Sequence, residues 1–124
     1  MAESAASLAF AVELLAGVGP VEARRMFGGA GLYAGGVMFG LVYEGVIHLK
    51  VDEVLKADMA AAGARPWVYT QTKGPKAGVP QETSYWSLPD DALDDPDEAR
   101  TWGRRSLAAA ESLKAAKPAR KRKP

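Results

Sequence analysis

Apolar and polar positions change period several times along the chain, and each change marks an element. In ESAASLAFAVELLAG the residues Leu8, Val12 and Leu15 recur at i, i+4, i+7, the spacing of one helical face. Ser4 stands where an N-cap belongs and Gly17 where a helix stops. From Val21 onward short apolar runs are separated by glycine-rich corners, the pattern of a strand meander. Strands are expected near Glu22 to Phe27, Leu32 to Tyr33, Val37 to Val42 and Val46 to Val51. AGGV and YEGV are short enough for two-residue hairpin turns, since glycine adopts positive φ without steric cost. In VIHLKV, alternation places Ile47, Leu49 and Val51 on one face and His48 and Lys50 on the other. One face should meet a core and the other water or a partner.

Asp52 is positioned to cap a second helix, EVLKADMAAA, with an apolar stripe of Val54, Leu55 and Met59 and a stop at Gly63. RPWVYT reads as a strand, QTKGPKAGVPQE as a loop or loosely paired hairpin tip, and TSYWSL as a returning strand. Asp94 or Asp95 should cap a last helix that begins at Pro96 and repeats Ala99, Trp102, Ala109 and Leu113 at helical spacing. The order is helix, four strands, helix, two strands, helix. Hairpin connections make the sheet mostly antiparallel, with five or six strands and helices on one face, an α+β fold.

At 124 residues the chain suits one domain, expected over residues 1–116, with a disordered basic tail at 117–124. Its 48% apolar and 25% charged residues are those of an ordinary globular protein. With no cysteine, disulfides, thiolate metal sites and thiol nucleophiles are excluded. No apolar run approaches the length needed to span a bilayer, and the start lacks signal-peptide character, so a cytoplasmic protein without membrane contact is expected. The net charge of +1 conceals an asymmetry: residues 1–113 hold ten positive against fifteen negative charges. Lys114, Lys117, Arg120, Lys121, Arg122 and Lys123 hold the rest. A net-negative body does not draw duplex phosphates, whereas the basic tail could make weak, salt-sensitive nucleic-acid contacts through Lys117, Arg120, Lys121, Arg122 and Lys123.

The remaining candidates for chemistry reduce to structure. GAGLYA, Gly29 to Ala34, matches the dinucleotide pattern G-x-G-x-x-A. That chemistry requires a helix to open at the glycines, and here they lead into strand-like sequence, so corners and close backbone packing are the better reading. His48 is the single histidine and has no carboxylate two positions away; it reads as a strand histidine on the outer face. Asp90, Asp91, Asp94, Asp95, Asp97 and Glu98 lack the calcium-loop pattern and suit helix capping and a solvated surface. Trp67, Tyr69, Tyr85 and Trp86 occupy the two late strands. If those strands pair, Trp67 and Tyr69 share a face and Tyr85 and Trp86 point apart, and core packing is favoured over base stacking. No catalytic, cofactor-binding or metal-binding residue is assigned.

The run RRMFGGAGLYAGGVMFGLVYEGVIHLKVD, Arg24 to Asp52, resembles the N-terminal domain of the TfoX/Sxy competence-regulator family. RPWVYT and SYWSLPDDALDDPDEARTWGRRSLAAA fit the same pattern, so the resemblance spans roughly residues 8 to 113. Its motif residues, Arg25, Met26, Phe27, Gly28, Gly29, Gly31, Met38 and Phe39, are implied to be structural. The resemblance implies an antiparallel sheet flanked by helices, with FGGAG turning the chain between strands. It also implies a non-enzymatic adaptor or co-activator of DNA-uptake genes, working beside a DNA-bound regulator such as the cyclic-AMP receptor protein; a homodimer is a further expectation. The better-known regulators have two domains, and this sequence matches the first. The outer strand face and the acidic DDALDDPDE segment are the expected partner surfaces.

Overall fold

The computed structural model describes residues 4–26, 28–70, 72–75 and 77–116. Phe27 and the tail cations Lys117, Arg120, Lys121, Arg122 and Lys123 lie outside the described residues. The elements are α1 (Ala5–Leu14), β1 (Val21–Met26), β2 (Gly29–Ala34), β3 (Val37–Tyr43), β4 (Val46–Lys50), α2 (Glu53–Ala61), β5 (Pro66–Thr70), β6 (Pro80–Ser87) and α3 (Pro96–Ala116). Short 3₁₀ turns follow α1 and precede α3. The strands form one six-stranded sheet in the order β1-β2-β3-β4-β6-β5, antiparallel at every step. The α+β order read from the sequence is the one observed.

Local chemistry sets the element ends. The Ser7 amide donates to Ser4 Oγ at 3.1 Å and starts α1, and the Leu55 amide donates to Asp52 Oδ1 at 2.8 Å and starts α2. Asp95 Oδ1 accepts from the amides of Asp97 and Glu98 at 3.1 and 3.2 Å, satisfying donors that the first turn of α3 leaves over. The β2–β3 corner has φ of 59° at Gly35 and 81° at Gly36; the β3–β4 corner has 51° at Glu44 and 78° at Gly45. Two consecutive positive values are what a two-residue hairpin needs to match strand twist.

The glycine run differs from expectation. The whole of GAGLYA is strand β2, so it neither opens a helix nor forms a corner. Only Gly28, φ 80°, belongs to the β1–β2 turn. Gly29 and Gly31 are glycines because of close approach: a Cβ on Gly29 would run into the Val42 carbonyl oxygen, and one on Gly31 would meet Tyr33, Met26 and Met38 side-chain atoms at 3.0–3.2 Å. The register shifts between Leu32 and Tyr33, whose partners are Gly40 and Met38. Phe39 is the unmatched residue of this bulge, and its side chain is fully buried.

All three helices contribute to a core on one face of the sheet. Leu32, Phe39, Val42, Ile47, Leu49 and Trp86 from the strands meet Leu14 and Leu15, Leu55 and Met59, and Ala99 and Ala110. The predicted stripes of all three helices are corrected in part. In α1 the buried residues are Ala11 and Leu14 with Leu15 just beyond, while Leu8 and Val12 are only half-buried, because they line an open groove between α1 and the border strand β1. In α2 Val54 is 69% exposed; Leu55 and Met59, four apart, are the pair that one helical turn can bring onto the core. In α3 the expected Ala99 and Ala109 are buried and Trp102 is half-buried, but Leu113 is exposed, and Gly103, Ser106 and Ala110 complete the inward face.

β3 and β4 pair only from Gly40 opposite Leu49 to Tyr43 opposite Val46. Beyond that point they part, Lys50 pairing with Tyr85 of β6. Ser106 of α3, fully buried, fills the fork: its hydroxyl lies 2.8 Å from the Phe39 carbonyl oxygen and 2.7 Å from that of Lys50. One hydroxyl proton serves both acceptors, so α3 supplies the polar contact that the missing strand pairing would have made.

Candidate functional site

Alternation along the strands fixes what the helix-free face presents. With Leu32, Val42, Ile47, Leu49 and Trp86 directed at the helices, their neighbours Tyr33, Leu41, Tyr43, His48 and Tyr85 project from the opposite face. Trp67 and Tyr69 join them from β5. The Trp67 ring centroid lies 5.4 Å from Tyr43, 6.3 Å from His48 and 5.7 Å from Tyr69. Such tilted contacts between edge and face are favourable for aromatic pairs. For the indole on the border strand to reach Tyr43 on β3 it must cross β6 and β4. The residue opposite His48 on β6 is Ser87, small enough to be crossed. Strand pairing was expected to put Trp67 and Tyr69 on one face and to part Tyr85 from Trp86, and it does so.

Two readings of these aromatics change. Core packing holds for Trp86 but not for its companions: Trp67 and Tyr85 are half-buried and Tyr69 is 40% exposed. His48 is on the outer face as expected, yet only 7% exposed, because Trp67 covers it. Burial lowers its pKa to about 4, with the Val46 backbone carbonyl acting weakly the other way. Its Nδ1 makes no well-formed hydrogen bond, consistent with that carbonyl being too poorly placed to hold the charged form. At neutral pH the ring is therefore uncharged and buried, and the hydroxyl of Ser87, the residue opposite, accepts from the Arg65 amide at 2.9 Å. The Tyr85 phenol is pushed above its usual range by burial and by neighbouring Tyr33, so it stays protonated and serves as a hydrogen-bonding and stacking group.

Around this platform lie cations and flexible apolar side chains. The Arg24 guanidinium sits 4.7 Å from the Tyr33 ring centre, and Lys50 Nζ sits 5.1 Å from that of Tyr85 while donating to Ser84 Oγ at 2.7 Å. Met26 and Met38 converge on Gly31. Where β3 and β4 fork, a cleft of about 390 Å³ is lined by Tyr33, Met38, Lys50, Tyr85, Leu113 and Lys114. The motif residues thus divide by role. Met26, Gly29, Gly31 and Met38 shape the open face, Phe39 is core, and Arg25 lines a groove beside α1.

The acidic segment is accounted for locally: Asp95 caps α3, Asp97 lies 3.6 Å from Arg100, and Glu98 accepts from the Trp102 indole at 3.4 Å. Among the described residues no group of three or more histidine or carboxylate side chains is placed to hold a metal ion. No described helix is long and apolar enough to cross a membrane. The sequence reading missed the Trp67–Tyr43–His48 stack; its one readable signal is the alternation of tryptophan and tyrosine in WVY opposite a small residue.

The family model for the TfoX N-terminal domain matches residues 13–110. No curated protein matches the chain.

Proposed function

Because the chain belongs to the TfoX N-terminal domain family, we propose that it is a non-enzymatic regulatory adaptor whose open sheet face binds a protein partner in transcription control. One observation carries this reading: the face without helices presents Trp67 in contact with both Tyr43 and Tyr69, with Val46 exposed beside them and Arg24, Met26 and Met38 along the same surface. Tyrosine, tryptophan, methionine and arginine are the residue types that concentrate at protein interfaces, and rigid aromatic anchors carry most of the binding energy there. The imidazole of His48 is buried and its lowered pKa makes it a weak base, which favours binding over catalysis at this face.

The partner is a DNA-bound regulator or a component of the transcription machinery, as the resemblance to competence regulators suggests. A photo-cross-linking residue in place of Tyr69, introduced in the host cell, tests this. Adducts with a promoter-bound protein, lost when Trp67→Ala is added and retained when residues 117–124 are removed, would support it. Adducts with nucleic acid alone, abolished by the truncation, would instead assign function to the basic tail.

A further inference from the structure

The sheet ends differently at its two borders. At β5 a proline, which has no N–H to donate, opens the strand, and the ladder is broken by a register shift between Pro66 and Val68. At β1 the ladder is regular over all six residues, Val21 to Met26 opposite Ala34 to Gly29. A regular border strand is a template for another strand, and proteins usually blunt such edges with proline, bulges, charge or a covering element. Of these, among the described residues, β1 has only charge, and its charges follow a particular order.

We propose that β1 pairs antiparallel with β1 of a second copy of this chain, about a two-fold axis through Ala23, joining two sheets into one. An axis perpendicular to the sheet keeps the helices of both copies on one side, so residues that face each other must come from the same face. Glu22 and Arg24 lie on the open face, partnering Tyr33 and Gly31, and Ala23 and Arg25 on the helix face. Centring the axis on Glu22 sets two glutamates together, and centring it on Arg24 or Arg25 sets two arginines together. Centring it on Ala23 sets Glu22 opposite Arg24 of the second copy, twice. Like charges directly opposed destabilise a strand pair and unlike charges support it. Glu22 and Arg24, 3.1 Å apart within one chain, have donors and acceptors enough to bond across the axis as well.

The helix side of the same border is prepared for the same neighbour. The ten residues of α1 carry a single charge, Glu13, and a helix so apolar around its circumference is one that is covered. Between α1 and β1 runs an open groove of about 610 Å³, lined by the apolar Ala5, Leu8, Ala9, Val12, Ala16 and Ala23 together with Glu13 and Arg25. Ala5, Ala9, Val12 and Ala16 form one ridge of small side chains. The axis through Ala23 brings the α1 helices of the two copies together over a pair of methyl groups, where small residues allow close approach. Edge hydrogen bonds, the alternating charges and the groove all call for the same occupant.

The protein has no cysteine, so single cysteines report the register directly. Opposed residues of an antiparallel pair have Cα atoms about 4.5–5.5 Å apart, within the range a disulfide spans. Ala23→Cys should cross-link to itself under mild oxidation and Arg24→Cys should not. Sedimentation should show a dimer of the full chain. Glu22→Arg or Arg24→Glu alone should weaken the dimer about tenfold, and the two together should restore it, with circular dichroism confirming that each variant folds. A chain that is monomeric at all accessible concentrations would overturn the proposal. A dimer that Arg24→Cys traps but Ala23→Cys does not, or a double swap that fails to restore it, would do so equally.

Discussion

The indole of Trp67 covers the imidazole of His48, ring centroids 6.3 Å apart, although the two lie on strands separated by β6. This contact shields a titratable group, and the shield makes stability depend on pH. Burial holds the folded pKa of His48 at about 4, against 6.5 for a solvated imidazole, so the unfolded chain takes up its proton first. Stability from this residue is complete above about pH 6.5 and is lost as pH falls from there toward 4, with a slope approaching about 1.4 kcal/mol per pH unit. Denaturant midpoints at pH 7.5, 5.5 and 4.5 should fall more steeply for the wild type than for His48→Gln. Parallel profiles would mean that the ring reaches solvent.

The two aromatics of β5 should separate binding from stability. Trp67 is half-buried and touches three rings, so Trp67→Ala should cost about 2–3 kcal/mol and also raise the His48 pKa, since its cover is removed. Tyr69, 40% exposed at the border of the platform, should lose partner binding on substitution by alanine while stability changes by less than about 1 kcal/mol. Thermal unfolding measures the stability, and the yield from a photo-cross-linking residue placed at exposed Val46 measures the binding. A Tyr69→Ala protein that binds normally would move the contact surface away from this face.

Ser106 is the one fully buried polar side chain on the inner face of α3, and it replaces strand pairing where β3 and β4 part. Ser106→Ala keeps the volume nearly constant but leaves the carbonyls of Phe39 and Lys50 against a methyl group. The expected loss is about 1–3 kcal/mol, the cost of unsatisfied buried acceptors. Amide exchange should accelerate first at the fork, and a variant as stable as wild type would show that water reaches those carbonyls.

What could be read in advance was set by neighbours in sequence. Ser4, Asp52 and Asp95 cap because their side chains reach an amide two or three residues ahead, and the Gly35–Gly36 and Glu44–Gly45 corners turn through their own dihedrals. What could not be read depends on residues far along the chain. The burial of His48 needs Trp67, and that contact exists only because β6 inserts between β4 and β5 and offers Ser87 to be crossed. Ser106 looks like any serine in a helix until the fork is seen above it. The aromatic face was legible as alternation, but not as a stack joined across four strands.

The glycine run carries the last prediction, because its spacing spells a nucleotide motif and its structure does not. Gly29 and Gly31 sit inside β2, and the space that a phosphate would need above Gly29 is filled by the Val42 carbonyl. A methyl group there cannot be accommodated by rotating a side chain, since the obstacle is backbone, so Gly29→Ala should destabilise by about 1–3 kcal/mol or more. At Gly36 nothing lies within 4 Å of an added Cβ and only the positive φ opposes substitution; Gly36→Ala should cost about 1 kcal/mol. The same geometry predicts that millimolar ATP or NAD leaves the melting temperature unchanged, since any ligand held only by the native state must raise it. Strand glycines excluded from a helix N-terminus have no ring of free amides with which to hold a pyrophosphate, so a nucleotide-dependent shift that Gly29→Ala abolished would require β2 to be paired differently from its register with β1 and β3.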